Sequence, residues 1–506
     1  MQTQDKNSIE SQENRSLAEA RKPRKWLAGL GAFMVVLLVV GVSVFVFAAA
    51  KQRQGSQHPP AGQWKQVQSG YLFLSMQAAP SNPAVLYACA TTSAAVSNIQ
   101  GTSVTMLRSA DFGDHWQNIG VNAGLGSSCE LAVNPTNEND IYVISANTAS
   151  QSNAMLKHST DGGQTWTTIT PAFSPPLHAQ GTGTALPWFV QQLRYDGHSL
   201  YGVQWITSGS PVILSPPNIA NRLPRLVTSS DGGHTWNIID GQFTAKKLGA
   251  QAYTLDPTHP GTIYEIAGHP WWFPIETAPI PTNGILPSFS LDQQLFKSTD
   301  NGANWQSLLT NLPYGSQVQL ASDNSQIVYA GGIRGPLPLM SQYQPGQGTG
   351  TAYQPASFTG LFHLQVSANG GASWQQVAAP PTEQVIQGWF VSADGNVFTS
   401  PTISFSVPGS GPTAIVGTAV PATPVFGTPL PVTTSTGGLP DIQSTLPVSH
   451  PGIQRYDLAS HSWSQVTTPP ADGRLLQVTP ADTHGGAILW YVGLQGTPYT
   501  LYRYIV

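Results

Sequence analysis

The sequence predicts an all-β chain folded as a single seven-bladed β-propeller, preceded by one membrane-spanning helix. Three observations carry this. The first is composition: of 506 residues only 9% are charged, while Gly (50) and Pro (42) are abundant and 14 Trp are present. Low charge with many turn formers reads as turn-rich β structure, and 40% hydrophobic residues argue against disorder. The second is an internal repeat, W-x-x-aliphatic, found seven times: WKQV (64–67), WQNI (116–119), WTTI (166–169), WNII (236–239), WQSL (305–308), WQQV (374–377) and WSQV (463–466). The third is a short apolar strand, a Pro/Asn turn and an aliphatic-Tyr strand between the units, as in NPTNENDIYVIS and DPTHPGTIYEIA. Each unit then supplies four strands, the size of one propeller blade.

The N-terminal region divides in three. Residues 1–25 form a polar tail ending in Arg21, Lys22, Arg24 and Lys25, and residues 26–50 carry no charge. Twenty-five residues at a helical rise of about 1.5 Å exceed a hydrocarbon core of about 30 Å. The basic cluster ahead of the span places the N-terminus in the cytoplasm and the rest outside. The competing expectation is a cleaved signal peptide ending near Ala48-Ala49-Ala50. Residues 51–62 read as a linker, and 63–506 as the propeller. In either case the propeller is extracytoplasmic, and the expected location is the cell membrane through a single-pass anchor.

Five of the Trp units close a longer motif, S-x-D-x-G-x-x-W. Its copies are Ser109, Asp111, Gly113, Trp116; Ser159, Asp161, Gly163, Trp166; Ser229, Asp231, Gly233, Trp236; Ser298, Asp300, Gly302, Trp305; and Ser367, Asn369, Gly371, Trp374, where Asn replaces Asp. The types suit a turn: hydroxyl and carboxylate accept nearby N–H groups, Gly permits a positive φ, and Trp buries a large area. The motif resembles the Asp-box, or BNR repeat, of sialidases, sortilin-type receptors, some glycoside hydrolases and photosystem II assembly factors. The resemblance covers nearly all of residues 60–506. It implies that the boxes are peripheral and structural, and that they lie between the third and outermost strands.

With the box placed there, Trp64–Val67 is an outermost strand with no inner strands before it. The last unit runs through AILWYVG (487–493) and YTLYRYIV (499–506) and lacks an outermost strand. The opening strand therefore completes the last blade and removes two open sheet edges. Four long insertions, at roughly 207–223, 268–292, 332–359 and 401–451, fall between second and third strands; a fifth, 171–187, precedes the first strand of blade 3. All are expected on one face. The segment 401–451 contains a Pro/Gly/Thr-rich, uncharged stretch (406–440) and reads as a low-complexity insertion.

Function is less legible. The net charge of −4 argues against nucleic acid. Candidate binding residues are His269, Trp271, Trp272 and Phe273 in GHPWWFP, whose adjacent aromatics suit sugar stacking or a protein hot spot, together with Arg222 and Arg334. The competing reading is that these aromatics cap the core. A sialidase would need converging arginines; Arg194, Arg222 and Arg334 are the available set, and the early Arg-Ile-Pro motif of such enzymes is missing. A glycosidase needs two carboxyls, and nothing singles out a pair among Glu265, Glu276 and Asp292. No catalytic residue is assigned. His158, His259 and His269 lack metal-ligand spacing, so neither metal nor cofactor is expected. Cys89 and Cys129 fall on adjacent blades, where a disulfide or two buried thiols are both compatible. The expectation is a binding or scaffold module whose long-loop face takes a protein or glycan; the alternative is a cell-surface glycoside hydrolase, and if the chain is an enzyme, a glycosidase.

Overall fold

The computed structural model describes residues 61–92, 104–119, 129–145, 155–174, 188–206, 223–269, 293–313, 315–334, 361–380, 386–401, 452–471, 473–481, 486–494 and 499–506. They form seven sheets, antiparallel but for one parallel rim strand, arranged as the blades of a β-propeller. From axis to rim, blade 1 is Tyr71–Ala79, Asn82–Thr92, Val104–Ser109 and Gln117–Asn118; blade 2 is Glu130–Asn134, Asn137–Ser145, Met155–Ser159 and Thr167–Ile169. Blade 3 is Trp188–Tyr195, Leu200–Ile206, Arg225–Ser229 and Thr235–Ile238; blade 4 is Gly249–Leu255, Ile263–Gly268, Gln293–Ser298 and Gln306–Leu312. Blade 5 is Gln317–Leu320, Val328–Arg334, Leu361–Ser367 and Gln375–Val377; blade 6 is Ile386–Val391, Val397–Pro401, Ile453–Asp457 and Ser462–Thr467. Blade 7 is Gly473–Pro480, Ala487–Gly493, Thr500–Ile505 and, at its rim, Trp64–Ser69.

The ring closes as its two chain ends anticipate. Trp64 lies opposite Tyr504 and Gln68 opposite Leu501 in an antiparallel pair. Trp64 packs on Tyr491 and Tyr504, and its indole N–H donates to Thr467 Oγ1 (2.9 Å) and the Thr468 carbonyl (2.8 Å) of blade 6. A charged cluster fastens blade 7 to blade 1: Asp114 pairs with Lys65 and with the buried Arg503, each at 2.6 Å, and Arg503 also donates to the Phe112 carbonyl.

The five S-x-D/N-x-G-x-x-W segments are turns between third and outermost strands, built alike. In blade 2 Ser159 Oγ accepts the Gly163 N–H (2.8 Å) and donates to Asp161 Oδ1 (2.8 Å). Asp161 in turn accepts the Thr165 N–H (2.9 Å) and hydroxyl (2.6 Å). Gly163 sits at φ 90°, and a Cβ there would lie 2.5 Å from Ile119 Cδ1 of blade 1, so both backbone and space demand glycine.

The Trp and Tyr repeats explain themselves as ties between blades. Indole N–H groups reach back to the preceding blade: Trp166 to the Ile119 carbonyl (3.3 Å), Trp305 to Ile239 (3.0 Å) and Trp463 to Ala378 (2.7 Å). Tyrosines of the second strands reach forward: Tyr87 to the Glu138 carbonyl (2.7 Å), Tyr264 to Gly370 (3.0 Å) and Tyr329 to Gly395 (2.7 Å). The aliphatic neighbours fill the apolar layers between sheets; one such layer joins Val85, Met106, Ile141 and Val143. Cys89 and Cys129 are joined as a disulfide across blades 1 and 2, with Cα atoms 6.0 Å apart.

The strand order places the insertions beginning near 207, 268, 332 and 401 between second and third strands. The fifth differs from expectation at its start. Ala172–Ser174 does not run to the loop face but pairs in parallel with Thr235–Asn237 as an extra rim strand of blade 3, with Phe173 stacked on Trp236. Phe173 prefers this apolar contact to an exposed loop position. No helix among the described residues is long and apolar enough to cross a membrane. Residues 26–50 lie outside them.

Candidate functional site on the innermost strands

The innermost strands of the seven blades surround the axis, and among the described residues they carry few charges: Glu130, Arg194 and Arg474. Glu130 is their one acid. Their polar lining is otherwise mostly glutamine, and several glutamines act as struts. Gln319 donates to the Trp389 carbonyl (2.8 Å) while its Oε1 accepts the Val391 N–H (3.0 Å), joining blades 5 and 6. Arg474 donates to the Phe73 carbonyl (3.4 Å), joining blades 7 and 1.

The backbone is irregular at one level of this surface. Bulges interrupt the inner strand at Leu74 of blade 1, Gln251 of blade 4, Gln387 of blade 6 and Leu476 of blade 7, each opposite the step between the residues two and three past Tyr87, Tyr264, Phe398 and Ile488 of the neighbouring strand. In blade 3 the bulge is wider, with Gln192 and Leu193 between the paired Gln191 and Arg194. Bulges re-aim side chains and recur beside active sites. Gln192 also adopts φ 55°, a left-handed conformation that costs a non-glycine residue about 1–3 kcal/mol.

Blades 2 and 4 hold Gln192 in place. Its side-chain amide donates to the Gln251 carbonyl (2.9 Å), its own carbonyl accepts the Tyr253 hydroxyl (2.6 Å), and its N–H donates to Glu130. Two residues on, Arg194 is exposed, with its guanidinium carbon 5.8 Å from the Tyr253 ring centroid. Glu130, Gln192, Arg194 and Tyr253 thus form one cluster spanning blades 2 to 4. Burial pushes the Glu130 carboxyl up to about 7, a rise that Arg194 and the Gln192 N–H only partly oppose. An acid poised near neutrality can donate or accept a proton.

A second ionisable cluster lies behind the inner strands and is sealed. Glu265 and Asp240 are fully buried beside Arg225, whose Nη1 lies 3.7 Å from Asp240 Oδ2 and donates to the Leu248 carbonyl (3.1 Å). Burial raises both carboxyls, Asp240 to about 6 and Glu265 well above its ordinary value; the Asp240 charge adds to the rise at Glu265. Glu265 therefore has no access to a sugar, although its place in the sequence put it among the acids beside the blade-4 loop. The pair is a blade 3–blade 4 contact.

The residues singled out by sequence fare unevenly. Trp271, Trp272, Phe273 and Arg222 lie outside the described residues. His269 follows the second strand of blade 4, and Arg334 ends that of blade 5, opposite Leu361. Of Arg194, Arg222 and Arg334, only Arg194 has a described side chain. Glu130 was missed: it follows Cys129 in an unremarkable stretch, and only the pairing register shows it to be alone among apolar and amide side chains. Among the described residues no group of three or more His, Cys, Asp or Glu could hold a metal ion.

No protein-family profile matches the chain. A xyloglucanase of Hypocrea jecorina (strain QM6a) is 28% identical over 253 residues, covering 40% of this chain and 28% of that protein, so the chain spans well under a third of the curated relative it matches. Among solved structures, the GH74 enzyme of Niastella koreensis matches with a TM-score of 0.39 at 17% identity, over 84% of this chain and 51% of that one. The α-L-arabinanase of Penicillium chrysogenum, complexed with arabinobiose, matches with 0.37 at 12% identity, over 68% and 94%. YCF48 from Cyanidioschyzon merolae matches with 0.30 at 13% identity, over 67% and 95%.

Proposed function

We propose that this chain is a glycan-directed propeller of the Asp-box type with glycoside hydrolase activity, acting on cell-wall polysaccharide at its innermost strands. The observation that carries the reading is Glu130: the sole acid among the described residues of the innermost strands, raised to about 7, beside Arg194 and the strained Gln192. A carboxyl that keeps its proton near neutrality can protonate a glycosidic oxygen as the bond breaks. The partial likeness to a xyloglucanase favours this chemistry over a scaffold role. The uncharged stretch 26–50 and its basic flank support a membrane-anchored, extracytoplasmic propeller, where such polymers are met.

A second reading has its own support. Hydrolysis takes two carboxyls, and the described inner strands offer one, which fits a protein that binds glycan without cleaving it. One experiment separates the two. The intact chain is incubated with xyloglucan and arabinan while reducing ends and binding are both measured. Release that disappears in Glu130→Gln supports the hydrolase. Saturable binding without release supports the binding module. Neither binding nor release ends the glycan proposal.

A further inference from the structure

We infer that the Glu130–Arg194 cluster takes a glycan bearing carboxylates, with Arg194 as the anion's partner and Glu130 as its competitor. This deepens the glycan reading and rests on it. Only 9% of the chain is charged, so a solvent-facing guanidinium on an innermost strand is a conspicuous group. Arg194 is exposed, and no carboxylate lies within ion-pair distance of it among the described residues. The Tyr253 ring lies beneath it, its centroid 5.8 Å from the guanidinium carbon. A guanidinium held this way presents a planar fork of donors that fits a carboxylate with two parallel bonds. A neutral sugar could use the surrounding glutamines equally well and would leave the charge unanswered.

The cluster also sets when the anion can bind. The charged and titratable groups that act on one another here are Glu130 from blade 2, Arg194 from blade 3 and the Tyr253 phenol from blade 4, with Tyr201 behind it. The phenol is raised by burial and stays neutral. Ionised Glu130 supplies Arg194 with a counter-charge. Protonated Glu130 does not, and Arg194 is then open to an external carboxylate. Uronic acids are ionised throughout the range in which Glu130 titrates, so affinity for them falls as pH rises through about 7.

The test compares oligogalacturonate with a neutral xyloglucan oligosaccharide of equal length, titrated into the intact chain by calorimetry on the acid and alkaline sides of neutrality. The acidic oligomer is expected to bind about tenfold more tightly on the acid side, and the neutral one without pH dependence. Glu130→Gln should bind the acidic oligomer tightly on both sides. Arg194→Gln should abolish the preference for it, and Arg194→Lys, which keeps charge but loses the fork, should retain part. If Arg194→Gln does not fold, the lysine and Glu130→Gln variants decide. Equal affinity for both oligomers, or preference surviving in Arg194→Gln, overturns the inference while leaving the glycan reading intact. Binding of neither overturns both.

Discussion

The rim and the axis of this propeller are built on opposite plans. At the rim five turns repeat the same bonds: the Gly N–H donates to the Ser hydroxyl, the Ser hydroxyl donates to Asp or Asn, and that side chain accepts the N–H four residues on. At the axis equivalent positions hold unlike residues, with Leu74, Glu130, Gln251 and Gln317 at or next to one level in four blades. A repeated residue at a repeated position serves what all blades share, which is folding and packing. A residue that departs from its equivalents has no such reason to be there. Glu130 is such a departure, and it lies beside the widest bulge and a left-handed non-glycine residue.

The sharpest way to break the comparison is at the rim's closure. Trp64 is the one Trp unit separated from its blade along the chain, yet, like Trp166, Trp305 and Trp463, it makes an indole bond to the preceding blade, and it adds aromatic packing on Tyr491 and Tyr504. Trp64 is half-buried, so Trp64→Ala should cost up to about 3 kcal/mol, short of a fully buried Trp truncation, read as a lowered denaturant midpoint. An unchanged midpoint would mean that the opening strand is an ornament and the ring stands without it.

At the axis, Glu130→Gln sharpens the contrast through pH. The folded carboxyl titrates at about 7 against an ordinary 4.5. Its contribution to stability is therefore complete below about 4.5 and is lost as pH rises through about 7. The loss amounts to at most about 3 kcal/mol. Thermal midpoints measured across this range should fall for the native chain and fall less for Glu130→Gln. The residual slope belongs to Asp240 and Glu265, which shift the same way. Identical slopes in the two proteins would place Glu130 in ordinary solvent.

The same contrast explains what could be read from the chain. The blade number, the rim turns and the closure of Trp64–Ser69 on Thr500–Ile505 follow from repetition, because W-x-x-aliphatic and S-x-D-x-G-x-x-W are local patterns whose physics is complete within ten residues. The Glu130–Gln192–Arg194–Tyr253 cluster is not local. It needs three inner strands in register and a bulge that shifts Arg194 relative to Gln191, and a bulge of that kind leaves no signature in the order of residues. Ala172–Ser174 was misplaced for a related reason: a rim strand of three residues has too short an alternation to stand out from a loop.

A smaller effect is expected within the repeat itself. Gly163→Ala must place a Cβ at φ 90° and 2.5 Å from Ile119 Cδ1, which should cost about 1–3 kcal/mol in denaturant unfolding. Ile119→Val together with Gly163→Ala should recover only the steric part. Full recovery would show that crowding against blade 1, not backbone conformation, fixes glycine in this turn.

The smallest change expected is the most informative about how the turns work, because one copy already contains it. Asn369 accepts the Ser367 hydroxyl (2.9 Å) and the Ser373 N–H (2.9 Å) through Oδ1 and donates from Nδ2 to Ser373 Oγ (2.8 Å). Asp161 makes the first two bonds identically and accepts the third from Thr165 instead of donating it. Asp161→Asn can therefore keep every bond by reversing one hydroxyl, and its stability at neutral pH should be nearly unchanged. In acid the two should part. Bonds from Thr165 hold the Asp161 carboxyl down at about 2, so its contribution is present above about 3.8 and lost as pH falls through about 2. Asn has no such loss. The variant should unfold slightly later than the native chain on acid titration, with Asp111, Asp231 and Asp300, whose carboxyls are also lowered, still contributing a loss of the same sign. If Asp161→Asn were destabilised at neutral pH as much as Ser159→Ala, negative charge and not hydrogen-bond geometry would hold the turn, and the blade-5 copy would be its weak point.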